Sequence, residues 1–258
     1  MEEKGLDLTS ASARKKVAFC GEFSQYFVYS GMAGACCALG MALAYSIGAG
    51  FYFNEATSGA YTLIMGIAFA LSFTLIVFSG AELFTGNMMV MTIGVMEQSI
   101  KLRQAAKLLV LCYLGNVVGA IFFGWLFASS GLLAGKTGQL LVASCAAKMA
   151  LPFEQAMVRG ILCNMLICMG TWATTKMKSE VAQMLMLVWV VVGFVTTGYE
   201  HSIANTALFT MAFLAPQTTG AISLSGAISN LVPVTIGNMI GGSLFVGVVY
   251  WYSGRAKS

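Results

Sequence analysis

The chain has 258 residues, 58% of them hydrophobic and only 9% charged, whereas a soluble domain carries about 25% charged residues. That deficit, with a mean hydropathy of +0.82, points to an integral membrane protein and excludes a large soluble core. The net charge of +4 is modest and calls for no nucleic-acid partner.

In chain order, the start MEEKGLDLTSASARKK is polar, and no cleavable signal peptide is expected. Leu8–Phe27 mixes Val17, Phe19, Phe23 and Phe27 with basic residues, which predicts a segment lying along the inner membrane face. A hydrocarbon core of about 30 Å needs about 20 apolar residues in a helix. The hydropathy then predicts six spans, at 26–53, 61–95, 105–133, 153–175, 182–215 and 229–252. The second and fifth are overlong, with polar, Gly-containing stretches in the middle. Lys4, Arg14, Lys15 and Lys16 precede the first span, and Lys101, Arg103 and Lys107 follow the second. Lys176 and Lys178 follow the fourth, and Arg255 and Lys257 follow the sixth. The opposite side carries only Lys136, Lys148 and nearby Arg159, so both termini are expected in the cytoplasm.

The seven cysteines include no CxxC pair and read as small buried hydrophobes. One histidine cannot supply bis-histidine haem ligation, and no cofactor, metal or enzymatic centre is expected. That histidine, His201, lies in GYEHSIAN (198–205), inside the fifth span. The second span carries GAELFTGN (80–87), and both read G-x-E-x-x-x-x-N. The spans that follow share G-N-x-x-G, as GNVVG (115–119) and GNMIG (237–241). Both pairs are displaced by about 120 residues, which predicts a duplication of three spans plus three. An odd number of spans per half inverts the second copy, so the two breaks approach the midplane from opposite sides. Broken backbone at that depth survives only when packed in protein or lining a cavity. The expected fold is therefore an all-α membrane protein with six transmembrane helices, spans two and five broken. It forms one transmembrane domain over 1–258: an N-terminal cytoplasmic or interfacial segment at 1–25, a first repeat at 26–133 and an inverted repeat at 153–252.

A bare small anion at membrane depth faces a Born cost of order 20 kcal/mol in the ideal limit. His201 could offset it by carrying charge, or remove it by giving the anion a proton. Glu82 and Glu200 occupy the shared repeat position, and open carboxylates there would repel an anion. They read as loop anchors that accept from freed backbone N–H groups, with Asn87 a further anchor.

FTGN (84–87), GYEHSIAN and NLVPVTIGNMIGG (230–242) resemble the formate/nitrite transporter family, and within it most resemble the hydrosulfide channel branch. The resemblance implies an aquaporin-like protomer in a homo-pentamer, in the cytoplasmic membrane of a prokaryote. It implies a channel for small monovalent anions of the hydrosulfide, formate or nitrite type, with export of hydrosulfide or formate expected. The alternative is a proton-coupled symporter for formate, acetate or lactate. It also implies that Thr85 bonds His201 or the substrate, and that Asn205 and Asn164 line the pore near His201. It places hydrophobic constrictions at Phe69, Phe73, Leu83, Phe84, Ile167 and Phe194. Lys148 would supply positive charge at the outer vestibule and Lys16 at the inner mouth.

Overall fold

The computed structural model describes residues 2–216 and 220–255, so Lys257 lies outside the described residues. Apart from turns and loops, the described residues are helical. A first helix, α1 (Glu2–Phe19), meets a bend at Cys20–Glu22 and leads into the long α2 (Phe23–Tyr52). Next come α3 (Tyr61–Ser79), α4 (Phe84–Met96) and α5 (Leu102–Ser129). The rest of the chain forms α6 (Lys136–Met149), α7 (Phe153–Thr175), α8 (Glu180–Thr196), α9 (Ser202–Leu214) and α10 (Leu224–Ile240). A π-helical stretch, Gly241–Val248, joins α10 to α11 (Val249–Arg255). Among the described residues five helical stretches are long and apolar enough to cross a membrane, and α4, α8 and α9 are shorter apolar helices.

Large apolar side chains stand exposed around the bundle, among them Ile67, Val110, Trp189 and Tyr252. In water such a skin would be a liability, whereas against lipid tails it is the proper exterior. Inside, backbones approach closely through glycine. A Cβ at Gly115 or Gly119 of α5 would collide with Ser30 or Gly31 of α2. A Cβ at Gly237 of α10, or at Gly241 just beyond it, would collide with the carbonyls of Met157 and Ile161 on α7. The G-N-x-x-G segments thus pack helix on helix within one chain.

One feature departs from the sequence reading. That reading assigned no element between the third and fourth spans, where α6 forms. Fourteen residues cannot cross a membrane, and α6 mixes Gly, Ser, Gln and Lys with its apolar side chains, so a span search passes over it. The N-terminal segment packs as α1 against the body of the chain. Leu6 meets Gly254 and Ala13 meets Gly94.

Both gaps, α3 to α4 and α8 to α9, use one piece of local chemistry. At the first, Gly80 takes φ +75. Its N–H donates to Val77 O, and Ala81 N–H donates to Ile76 O. At the second, Gly198 takes φ +74, Gly198 N–H donates to Val195 O and Tyr199 N–H donates to Phe194 O. Each is a helix stop closed by a left-handed residue, which is why both segments begin with glycine. The chain then runs extended through Leu83 and His201, the N-cap positions of α4 and α9.

Candidate functional site

Each gap is held by a buried carboxylate. Glu82 Oε1 accepts from Lys16 Nζ of α1 at 2.6 Å. Glu82 Oε2 accepts from Asn87 Nδ2 at 2.8 Å and from Tyr26 Oη at 3.4 Å. In the second gap Glu200 Oε1 accepts from Lys148 Nζ, in the last turn of α6, at 2.6 Å. Glu200 Oε2 accepts from Asn205 Nδ2 at 2.6 Å and from Asn230 Nδ2 at 3.4 Å. The glutamates are anchors, but their donors are side chains rather than the loop N–H groups expected from the sequence. Those N–H groups go elsewhere. Phe84 N–H donates to Asn116 Oδ1 at 2.9 Å, and Ser202 N–H donates to Asn238 Oδ1 at 3.0 Å. The same asparagines donate to the carbonyls of Glu82 and Glu200, at 2.8 and 3.0 Å. Asn116 and Asn238 are the N of the two G-N-x-x-G segments, and sequence reasoning gave them no role. Their recurrence one residue after a packing glycine was the available signal.

His201 is 4% exposed and held at both ring nitrogens. Ala204 N–H donates to Nδ1 at 3.1 Å, an N-cap bond for α9. Nδ1 is therefore an acceptor, and the proton of the neutral ring sits on Nε2. Nε2 lies 3.0 Å from Thr85 Oγ1 of α4 and donates to it in that tautomer. Thr85 in turn has its carbonyl taken by Asn164 Nδ2, at 3.1 Å. The structure thus brings Thr85 to His201 across the two gaps.

Three cavities lie end to end past this ring. In the orientation expected from the sequence, the Glu200 side is outer and the Glu82 side inner. The outer cavity, about 250 Å³, is walled by Tyr45, Lys148, Arg159, Tyr199, Glu200, Asn205 and His201 among others. The central one is only about 20 Å³ and is bordered by Cys37, Ser72, Ile76, Val191 and Ile167. The inner one, about 260 Å³, is walled by Thr9, Lys16, Glu82, Asn87, Thr171 and Thr175 among others. Phe69, Phe194 and His201 border both the outer and central cavities. Phe73, Ile76 and Leu83 border both the central and inner cavities. The neck toward the inner cavity is therefore apolar, and the neck toward the outer cavity sets His201 beside two aromatic rings. Phe69 and Phe194 meet edge to face with centroids 6.1 Å apart, and Phe194 lies parallel to the imidazole at 6.2 Å. A dry neck of this kind rejects a hydrated ion, which cannot keep its water shell there.

Five of the six expected constriction residues border the central cavity: Phe69, Phe73, Leu83, Ile167 and Phe194. Phe84 does not. Its ring turns the other way, against Tyr113 at 5.0 Å, on a groove between α4, α5 and α10. As the first residue of α4 it starts a new helical register, so its side chain leaves the line set by Leu83. Asn164 also departs from expectation. It borders none of the three cavities and spends its amide on the carbonyls of Thr85 and Asn238, at 3.1 and 2.6 Å. Asn205 borders the outer cavity, but its amide is given to Glu200 and Asn230, as Asn87 gives its own to Glu82. Lys148 and Lys16 sit in the outer and inner cavities, and each is paired with a glutamate rather than offered as a free positive charge.

Residues 3–252 match the family model for formate/nitrite transporters. The chain is 35% identical to the nitrite transporter NirC of Escherichia coli (strain K12) over 229 residues, covering 88% of this chain and 83% of that protein. Among solved structures it is similar to an FNT family ion channel, with TM-score 0.90 and 31% identity over 97% of this chain and 98% of that one. It is also similar to a pentameric formate channel with formate bound, with TM-score 0.78 and 27% identity over 89% of this chain and 96% of that one.

Proposed function

Because the chain belongs to the formate/nitrite transporter family, we propose that it is a channel for small monovalent anions and their acids, running through the three serial cavities past His201. The observation that carries this reading is the shared lining of the cavities: Phe69, Phe194 and His201 border the outer and central ones, and Phe73, Ile76 and Leu83 border the central and inner ones. In export a permeant enters the inner cavity and loses its water at Phe73 and Leu83. It then meets the imidazole and leaves past Phe69 and Phe194. The relatives named are transporters and channels rather than enzymes. The pentameric formate channel supports a homo-pentamer in which each protomer carries its own path.

In this proposal the chain is a single transmembrane domain of two inverted halves, 26–133 and 153–252, with both termini cytoplasmic. Support comes from the matched gaps, the matched Asn116 and Asn238 brackets, and the matched Lys–Glu pairs. By the same match α1 and α6 hold corresponding places, each sending a lysine to the gap of its own half. The segment 1–25 then belongs to the first half rather than preceding it. Formate, nitrite and hydrosulfide are the proposed permeants, with net export of hydrosulfide or formate. An inside-negative potential of about 100 mV opposes anion entry by about 2.3 kcal/mol and so favours exit.

One observation favours the second reading, proton-coupled transport of formate, acetate or lactate. Ala204 N–H holds Nδ1 as an acceptor, so His201 presents a neutral ring, and both cavity lysines are already paired. Arg159 borders the outer cavity but neither neck, so no cationic side chain lines the necks themselves, and crossing as the neutral acid avoids the desolvation cost of a bare anion. Voltage clamp of purified protein in planar bilayers separates the two readings. Current reversing at the anion's Nernst potential supports conduction of the anion. Formate flux into vesicles without current supports the proton-coupled route and defeats pure anion conduction.

A further inference from the structure

Ser72 stands on α3, between Phe69 and Phe73 in sequence, and all three border the central cavity. Ser72 is 2% exposed, and its Oγ has no hydrogen-bond partner. A helical serine or threonine commonly returns its hydroxyl to the carbonyl four residues back. Thr74 on the same helix does so, to Ala70 O at 3.0 Å, whereas Ser72 leaves its hydroxyl unspent. Gly40 of α2 makes the room: a Cβ there would take the place of the Ser72 hydroxyl. An orphaned hydroxyl in a buried site is costly, and one that borders a path is relieved whenever something polar passes. The cavity beside it, about 20 Å³, has room for about one water-sized particle. His201 and the Cys37 thiol are the ionisable groups bordering the same space.

We propose that the Ser72 hydroxyl is a second polar contact of the permeating species, and that the space beside it favours a species with one heavy atom, hydrosulfide or its conjugate acid, over the three heavy atoms of formate and nitrite. This rests on the channel reading given above and names the substrate class of that same path. A hydroxyl can donate to an anion and accept from a neutral acid, so Ser72 serves the permeant in either protonation state. Ser72→Ala removes the contact and widens the space. Ser72→Thr keeps the hydroxyl and adds a methyl to a cavity that has no room to spare.

The test measures hydrosulfide, formate and nitrite flux into proteoliposomes of the full chain, with assembly checked by size-exclusion chromatography. Ser72→Ala is expected to lower the hydrosulfide-to-formate flux ratio by about two- to tenfold, the worth of one neutral hydrogen bond. Ser72→Thr is expected to raise that ratio, because the added methyl excludes the larger anions first. Ratios within twofold of wild type for both variants, with assembly intact, would overturn the proposal while leaving the channel reading in place. Wild-type vesicles that pass none of the three species would overturn the channel reading and this proposal with it.

Discussion

His201 does two jobs with one ring. Nδ1 caps α9, and Nε2 reaches Thr85 of the opposite gap, which leaves the ring face toward Phe194 and the path. Replacing it by Phe preserves the shape and removes both bonds. His201→Phe should retain the oligomer on size-exclusion while cutting formate flux in proteoliposomes by at least about tenfold, the scale of losing the two buried hydrogen bonds that hold the ring in place. An unchanged rate and selectivity would remove the imidazole from the mechanism. Thr85→Val should also slow flux, by about two- to tenfold, because it leaves the buried Nε2–H without its acceptor. Thr85 borders none of the three cavities, so its effect should be on rate, with little change in the order of anion preference. The place of His201 in a helix break was legible in the sequence, since an ionisable group inside a membrane span stands out. The unpartnered hydroxyl of Ser72 and the direction of Phe84 were not. A serine is an ordinary guest in an apolar span, and the direction of Phe84 depends on the register with which α4 restarts.

At the scale of the helices, glycine and the lysine–glutamate pairs decide what can change. Gly119→Leu would drive a side chain into the backbone of α2 and should abolish assembly. Gly80→Ala meets no neighbour but forces an L residue to φ +75, which should cost about 1 kcal/mol and show as a lower unfolding temperature in detergent. Lys148→Ala leaves the Glu200 carboxylate buried with only amide donors. It should destabilise the protein by about 3 kcal/mol, the lower end for breaking a buried pair, because the lysine is itself 22% exposed. The double variant Lys148→Met with Glu200→Gln should recover much of that loss, and no recovery would show that the lysine acts through packing rather than charge. The gap positions could be read from the paired G-x-E motifs, because a left-handed stop demands glycine in any context. The helix α6 could not. Its length falls below a span, and what gives it purpose is one lysine that meets its partner only in three dimensions.

The whole molecule carries two copies of one device with a single telling difference: after the glutamate the first gap has Leu83 and the second has His201. The path is therefore apolar at the neck toward the inner cavity and ionisable at the neck toward the outer one, although the scaffold on each side is alike. With the histidine neutral and the cavity lysines paired, formate flux at fixed total concentration should rise by about tenfold for each unit of pH lost outside, as the neutral acid grows more abundant. Stopped-flow pH quenching in vesicles measures this directly, and a flat profile would favour passage of the anion. The order in which the contacts become available also has a consequence for biosynthesis. Lys16 waits 66 residues for Glu82, and Asn116 completes that bracket before α6 has left the ribosome. Lys148 then waits 52 residues for Glu200, and Asn238 closes the second bracket last. Each bracket can thus close during insertion with its own side chains. The Thr85–His201 bond, which joins the two gaps, can form only after both have been threaded into the bilayer.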